Sequence, residues 1–305
     1  MSEFFTDAKI IYKGYRMPLW FQSQEKFNEK TGDRLRLIVL KEGTGMVDFG
    51  GRSNIIVAPA LICLNELDEP LLKKSENIEA VALYFHPELI NSMFSFEMIR
   101  KPPPDIPSSV NQDLIWLQPF INQDEHYNRF LPIGPVTLNR IMQLIEQINK
   151  QLSDQPDTSW PCRTRTIFLE LLFLIYWVFE KKDAPDNISI PGFANYNSNN
   201  IEEIIFYLHT NYRRKITISE LTKEFHINRT SLTKKFTEET NTSIMPYLLG
   251  IRVQVASLIL RDTNLPITEV MERVGFNDIT HFGRVFRKYT GISPSEYRQK
   301  YYWMG

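Results

Sequence analysis

Cysteine is scarce in this chain: Cys63 and Cys162 stand alone among 305 residues. That excludes a disulfide framework. Neither cysteine sits in a metal-binding or redox spacing, so both read as ordinary core residues of a cytosolic protein. Long apolar runs are lacking too. The most apolar stretch, Phe168 to Phe179, is twelve residues long and is interrupted by Glu170. A membrane span needs about 20 such residues, so this segment is expected to be a buried helix and no membrane partner is expected. The stretch Met1 to Lys9 is polar and acidic, without the apolar segment of a secretory signal. A nucleophile elbow, a phosphate loop and paired catalytic carboxylates are also missing, which argues against an enzyme.

What is present is enough for two packed domains. Hydrophobic residues make up 43% and aromatics 12% of the chain, ample for globular cores rather than disorder. The net charge of −1 conceals an asymmetry. Residues 200–305 carry 15 Lys and Arg against 11 Asp and Glu, a balance of +4, while residues 1–199 carry 20 against 25, a balance of −5. A basic unit joined to an acidic one fits a nucleic-acid reader attached to a partner domain.

Periodicity divides the chain. Between about Arg34 and His86 short apolar runs such as Ser53 to Val57 and Ala80 to Phe85 are punctuated by Gly43, Gly45, Gly50 and Gly51 as turn markers, the pattern of a small β-barrel or sandwich. From Val136 the period becomes helical: Leu138, Ile141, Met142, Ile145, Ile148 and Leu152 form one amphipathic helix. Pro161 opens a second, through Ile167, Leu171, Leu174, Ile175 and Val178 to about Lys181-Lys182. This helix is apolar nearly all round and should be buried on more than one side, within its domain or at a subunit interface. Residues 183–199, rich in Pro, Gly, Asn and Ser, read as an interdomain linker.

From Ile201 onward helices crowd together. Ser219 is expected to cap a short helix ending at His226, followed by helices over Arg229 to Glu239 and Met245 to Arg261. The short pattern then returns at Thr268 to Gly275 and Ile279 to Tyr289. At an offset of 50 residues, apolar Leu232 and Phe236 answer to Phe282 and Phe286. Opposite them, Thr230, Thr233, Lys234 and Thr237 answer to Thr280, Gly283, Arg284 and Arg287, at i, i+3, i+4 and i+7 on one helix face. A short helix, a tight turn and a second helix with a small, polar or cationic face is the geometry of a major-groove reader. Small side chains allow deep seating. Arg284 offers a planar fork for guanine O6 and N7, and Lys234 reaches guanine with less selectivity. Arg229, Arg287 and Lys288 lie nearer the rim and suit phosphates.

The run Gly275-Phe-Asn-Asp-Ile-Thr-His-Phe-Gly-Arg-Val-Phe-Arg-Lys-Tyr-Thr-Gly-Ile-Ser-Pro294, with Arg252, Leu260, Ile267, Val270, Val274 and Tyr297-Arg298, resembles the DNA-binding domain of the arabinose-regulator (AraC/XylS) family. The resemblance implies an α+β protein. Residues 1–135 would form a cupin-like sensor barrel and residues 136–182 a helical dimerisation segment. Residues 200–305 would form an all-α domain whose two helix-turn-helix motifs, bridged by a long helix, read successive major grooves. The partners implied are double-stranded promoter DNA, a small effector such as a sugar or aromatic acid, a second copy of the chain, and RNA polymerase if it activates. Val81 to Leu89 resembles the last strand and exit of the barrel. Departures fall mainly in the first motif: Thr222 and Met271 replace a small alanine, Asn241 replaces a glycine, and Gly250 interrupts the bridging helix. An alternative is a barrel that binds no effector and only dimerises. A metal-dependent cupin enzyme would need converging His and carboxylate ligands, and residues 1–182 offer only His86 and His126, far apart. No metal or cofactor is therefore expected, and His86 reads as a hydrogen-bonded structural residue.

Overall fold

The computed structural model describes residues 4–25, 27–28, 32–49, 52–122, 127, 129–180 and 199–302. His126, Gly50, Gly51 and the linker up to residue 198 lie outside them. The N-terminal part is built on antiparallel strands: β1 (Thr6–Asp7), β2 (Arg16–Met17), β3 (Leu19–Gln22), β4 (Leu35–Phe49), β5 (Arg52–Val57), β6 (Ala60–Leu64), β7 (Leu71–Phe85) and β8 (Phe130–Pro132). β1 and β2 pair with each other, and the larger sheet runs β3-β7-β4-β6-β8 with β5 also on β4. Gly43 and Gly45 do not end strands, because β4 runs through both. Instead Gly43 sits at φ +90° in a region of shifted register, where a Cβ would lie 2.3 Å from the Asn77 carbonyl; only glycine fits that bulge. β7 is likewise not the last strand, since the chain returns to pair β8 with β6.

Alternation along the strands sends side chains to two faces. Leu35, Leu37, Val39, Cys63, Leu83 and Phe85 face a helical layer. That layer comprises α1 (Phe96–Arg100), α2 (Ser108–Ile115), α3 (Gln118–Ile121), α4 (Pro135–Asp154) and α5 (Trp160–Glu180). Phe85 stands edge-on to Phe120 and Phe168, with ring centroids 5.2 and 4.8 Å away. α5 buries Phe168, Leu171, Leu172, Ile175, Val178 and Phe179, one broad face rather than its whole circumference, and Phe173 is 57% exposed. Cys162 lies on the exposed side as well, so it is not a core residue.

The opposite face of the sheet carries Ile38, Leu40, Ile62, Ala82 and Phe130, together with a buried ion pair. Arg36 Nη1 stands 2.9 Å from Glu25 Oε1, both side chains at most 1% exposed. The Tyr84 hydroxyl donates to Glu25 Oε2 at 3.0 Å, and Phe4 stacks on the Tyr84 ring at 4.2 Å. His86 is hydrogen-bonded: its Nδ1 accepts from the Glu88 amide at 3.3 Å and caps a short 3-10 turn.

The C-terminal part is helical: α6 (Asn199–Asn211), α7 (Ile218–Glu224), α8 (Arg229–Thr240), α9 (Ile244–Asp262), α10 (Ile267–Arg273), α11 (Ile279–Thr290) and α12 (Pro294–Tyr301). α9 is long and apolar enough by composition to cross a membrane, yet its apolar residues serve two cores. Tyr247, Leu248 and Ile251 pack with α6, α7 and α8, whereas Val253, Ala256 and Leu260 pack with α10, α11 and α12. The two parts of the chain touch. Met46 and Ile55 of the sheet are buried against α6 residues such as Ile201 and Ile205.

Candidate nucleic-acid interface

Each helix-turn-helix unit is assembled by local chemistry that repeats at the offset of 50. Asn228 caps α8, its Oδ1 accepting from the Ser231 amide at 2.8 Å, and Asp278 caps α11 by accepting from the His281 amide. Such caps satisfy amides that have no partner within the helix and contribute about 1 kcal/mol each. Both helices stop in the left-handed conformation, at Asn241 (φ 54°) and Gly291 (φ 82°); asparagine tolerates what glycine supplies freely. Just before each stop a threonine hydroxyl turns inward. Thr240 Oγ1 donates to the Phe236 carbonyl at 2.7 Å and Thr290 Oγ1 to the Phe286 carbonyl at 2.9 Å. Ser243 and Ser293 then stand at the N-cap positions of the following helices, Ser293 with a side-chain cap bond and Ser243 without one.

The inward faces repeat as well. Leu232, Phe236, Phe282 and Phe286 are fully buried. Phe236 meets Tyr247 edge-on at 5.3 Å, and Phe286 meets Tyr297 in the same way at 5.3 Å. One correction concerns the first motif. Ser219 does not cap α7; Thr217 does, accepting from the Glu220 amide at 3.2 Å. Thr222 donates to the Ser219 carbonyl and is half-buried, while Met271 is buried in the second core. Gly250 is buried within α9.

The outward faces carry the side chains expected from the sequence. Arg229, Thr230, Lys234, Thr280, Arg284, Arg287 and Lys288 are all exposed, and Thr233 is half-buried. Their present engagements differ. Thr233 Oγ1 donates back to the Arg229 carbonyl at 2.9 Å, and Lys234 lies 3.8 Å from Glu238 one turn on. Arg287 Nη2 reaches Glu296 at 3.2 Å, and Glu296 belongs to the capping box of α12. The carboxyl of Glu296 is held below the usual range by the Ser293 hydroxyl and amide and, to a smaller degree, by Arg287. No ion pair or side-chain hydrogen bond engages Arg284 among the described residues. Its guanidinium is thus available at no cost of breaking a contact.

A cleft of about 680 Å³ lies between the two motifs, walled by the first turn of α7, Arg229 of α8 and Asp278 and His281 of α11. α8 and α11 therefore both present their N-terminal turns to one side of the domain. Arg213 and Lys215 join that wall, although only the basic run Arg213-Arg214-Lys215 marked them in the sequence. Arg214 is otherwise engaged, 2.6 Å from Glu220. Arg252 ties the turn between α6 and α7 to α9. Its Nε and Nη2 donate to the carbonyls of Tyr212 and Arg214, both at 2.8 Å. Among the described residues, no group of three or more His, Cys, Asp or Glu side chains converges as a metal site.

Residues 221–300 match the family model described as a helix-turn-helix domain. Over 101 residues the chain is 37% identical to the uncharacterized HTH-type transcriptional regulator YdiP of Escherichia coli (strain K12), a match that spans 33% of each protein. Over 277 residues it is 22% identical to the HTH-type transcriptional activator RhaS of Citrobacter koseri, covering 90% of this chain and 89% of that one. A solved structure described as a probable AraC family transcriptional regulator from Rhodopseudomonas palustris CGA009 is 31% identical. It covers 34% of this chain and 97% of that one, with a TM-score of 0.32. With two repeated helix-turn-helix units, the C-terminal part of the chain is a helix-turn-helix domain similar to those of DNA-binding transcription regulators of the AraC family.

Proposed function

We propose that this protein is a sequence-specific regulator that reads promoter DNA with α8 and α11, under the control of a small effector held by its N-terminal domain. The observation that carries the DNA-reading part is the paired exposed faces, above all the unengaged guanidinium of Arg284. In this reading Arg284 makes the base-specifying contact through guanine O6 and N7. Thr230, Thr233, Lys234 and Thr280 approach the base edges more softly, and Arg229, Arg287 and Lys288 hold phosphates. Arg284→Ala should relax preference at one base position, a loss of about 1–3 kcal/mol against the best site. Arg287→Ala should weaken binding to all sequences and flatten its salt dependence. Fluorescence anisotropy with a promoter fragment and its base-substituted variants separates the two; unchanged binding in both variants would remove α11 as a reading helix.

Effector control draws support from the Arg36 cluster. Arg36 is buried, yet its Nε and Nη2 have no hydrogen-bond partner, and a buried unpaired donor is costly. A small molecule rich in acceptors, such as a sugar or an aromatic acid, would satisfy them on the inner face of a cupin-like barrel. Phe4 and Tyr84 would then lie over it. A thermal-shift screen with such compounds should yield a stabilising ligand, and Arg36→Met should abolish the shift. Dimerisation through α4 and α5 belongs to the same reading, since exposed Phe173, with Leu174 and Trp177, lines a groove along both helices. So do a cytoplasmic location and contact with RNA polymerase, the activator role resting on the name of the RhaS relative.

A further inference from the structure

The joint between the two halves of the molecule has an unusual polar centre. α4 begins at Pro135 after Gly134, which has no side chain to cap the helix. The cap comes from the other domain. Asp262, the last residue of α9, places Oδ2 2.6 Å from the Val136 amide and 3.1 Å from the Thr137 amide, while the Thr137 hydroxyl donates to Oδ1 at 2.6 Å. Asp262 is 1% exposed and Thr137 4%. A carboxylate on a helix N-terminus is favoured by both the unpaired amides and the helix dipole. Here the two partners lie about 125 residues apart in sequence.

Gly134 is part of the same fit. Its backbone (φ −88°) suits any residue, but a Cβ there would lie 2.3 Å from Asp262 Oδ2. Between this cap and the apolar contact of Met46 and Ile55 with α6 the joint is looser. An apolar cavity of about 580 Å³ lies beside it, bounded by Pro59, Phe130 and Ile133 on one side and Ile251, Val255 and Ile259 on the other. The cross-domain cap is therefore the place where the joint is directional. It connects β8, whose Phe130 belongs to the core on the Arg36 face of the sheet, to the end of α9 and so to the second helix-turn-helix unit.

We infer that Asp262 is a positioning residue that couples the N-terminal domain to the DNA-reading domain, so that occupancy of one is felt by the other. The inference rests on the DNA-binding assignment but not on any effector. Coupling of this kind is reciprocal, which makes it testable without knowing an effector. Four of the five tryptophans, Trp20, Trp116, Trp160 and Trp177, lie in residues 1–180, so tryptophan fluorescence mainly reports melting of the N-terminal domain. DNA bound to the C-terminal domain should raise that melting temperature only through the joint.

The experiment uses the full chain with a labelled random-sequence DNA duplex at low salt, binding being followed by anisotropy and melting by tryptophan fluorescence. Wild-type protein is expected to bind and to show an upward shift with DNA. Asp262→Ala should still bind, with unchanged far-UV circular dichroism, but lose the shift. Asp262→Asn, which retains an acceptor for the amides and a donor for the Thr137 oxygen, should recover most of it. Gly134→Ala should likewise lose the shift, because its Cβ would clash with Asp262 and push the cap out of place. DNA binding without a shift in wild-type protein, or a shift that survives Asp262→Ala, would overturn the inference. No binding by wild-type protein would overturn the DNA-binding assignment on which it stands.

Discussion

His209 offers a quantitative test of the packing between the first motif and the joint. It is 8% exposed on α6, its Nε2 lies 3.2 Å from the Tyr247 hydroxyl, and its ring borders the interdomain cavity. Burial alone pulls its pKa down to about 4; Arg213, Glu272 and Arg273 line the same cavity without contributing to the shift. In the unfolded chain the imidazole titrates at about 6.5. Because the folded value is the lower one, the neutral ring's stability is fully present above about pH 6.5 and is lost as the pH falls towards 4. The difference amounts to about 3 kcal/mol at the acid limit and about 2 kcal/mol already at pH 5. Urea unfolding of the full chain, followed by circular dichroism, measures this directly. Between about pH 7.5 and pH 5, wild-type protein should lose about 2 kcal/mol more than His209→Gln, which keeps a partner for Tyr247 but does not titrate. With a slope of about 2 kcal/mol per molar, that is a midpoint difference of about 1 M urea. Parallel pH profiles for the two proteins would refute the reasoning, since all other titrations are shared.

Two further outcomes follow from packing. Phe236→Ala and Phe286→Ala each empty a fully buried site opposite a tyrosine and should each cost about 3–5 kcal/mol, measured by denaturant unfolding. Equal costs are expected from the matching environments. Phe173→Glu, on the exposed face of α5, should shift the protein towards monomer in sedimentation velocity while leaving the melting temperature within about 2 °C of wild type, because an exposed substitution changes stability by about 0.5 kcal/mol or less. An unchanged sedimentation coefficient would remove this face as the contact between copies.

The exposed faces of α8 and α11 were legible in the sequence because a helix reports its own periodicity: Leu232, Phe236, Phe282 and Phe286 announce the buried side, and the opposite positions follow. The offset of 50 reached further than those faces. Asn228 and Asp278, Thr240 and Thr290, and Tyr247 and Tyr297 repeat and play matching parts in both motifs; Ser243 and Ser293 repeat in position, but only Ser293 makes the side-chain cap bond. Caps were harder to place. Thr217 and Ser219 are both good capping residues, and only the backbone decides between them. The turn at Gly43 was misread for a related reason: a glycine marks an unusual φ, but a bulge inside a long strand needs one as much as a reversal does. Nothing local announced the Arg36–Glu25 pair or the cap of Asp262 on α4. The first spans 11 residues and crosses between elements, and the second spans about 125; neither follows a helix or strand period, so such pairing is written in the fold.

α9 also sets the spacing of the two units. One rigid helix supplies walls to both reading units, with Tyr247 and Ile251 in one core and Ala256 and Leu260 in the other. Neither unit can pivot about the other without opening a core. If α8 and α11 both read DNA as proposed, the protein acts as a fixed-gauge ruler on it. Inserting one base pair between the two sequence elements it reads would turn the second groove away by about 35°, and the helix has no joint with which to follow. Such an operator should bind as though only one element were present, whichever bases fill the spacer.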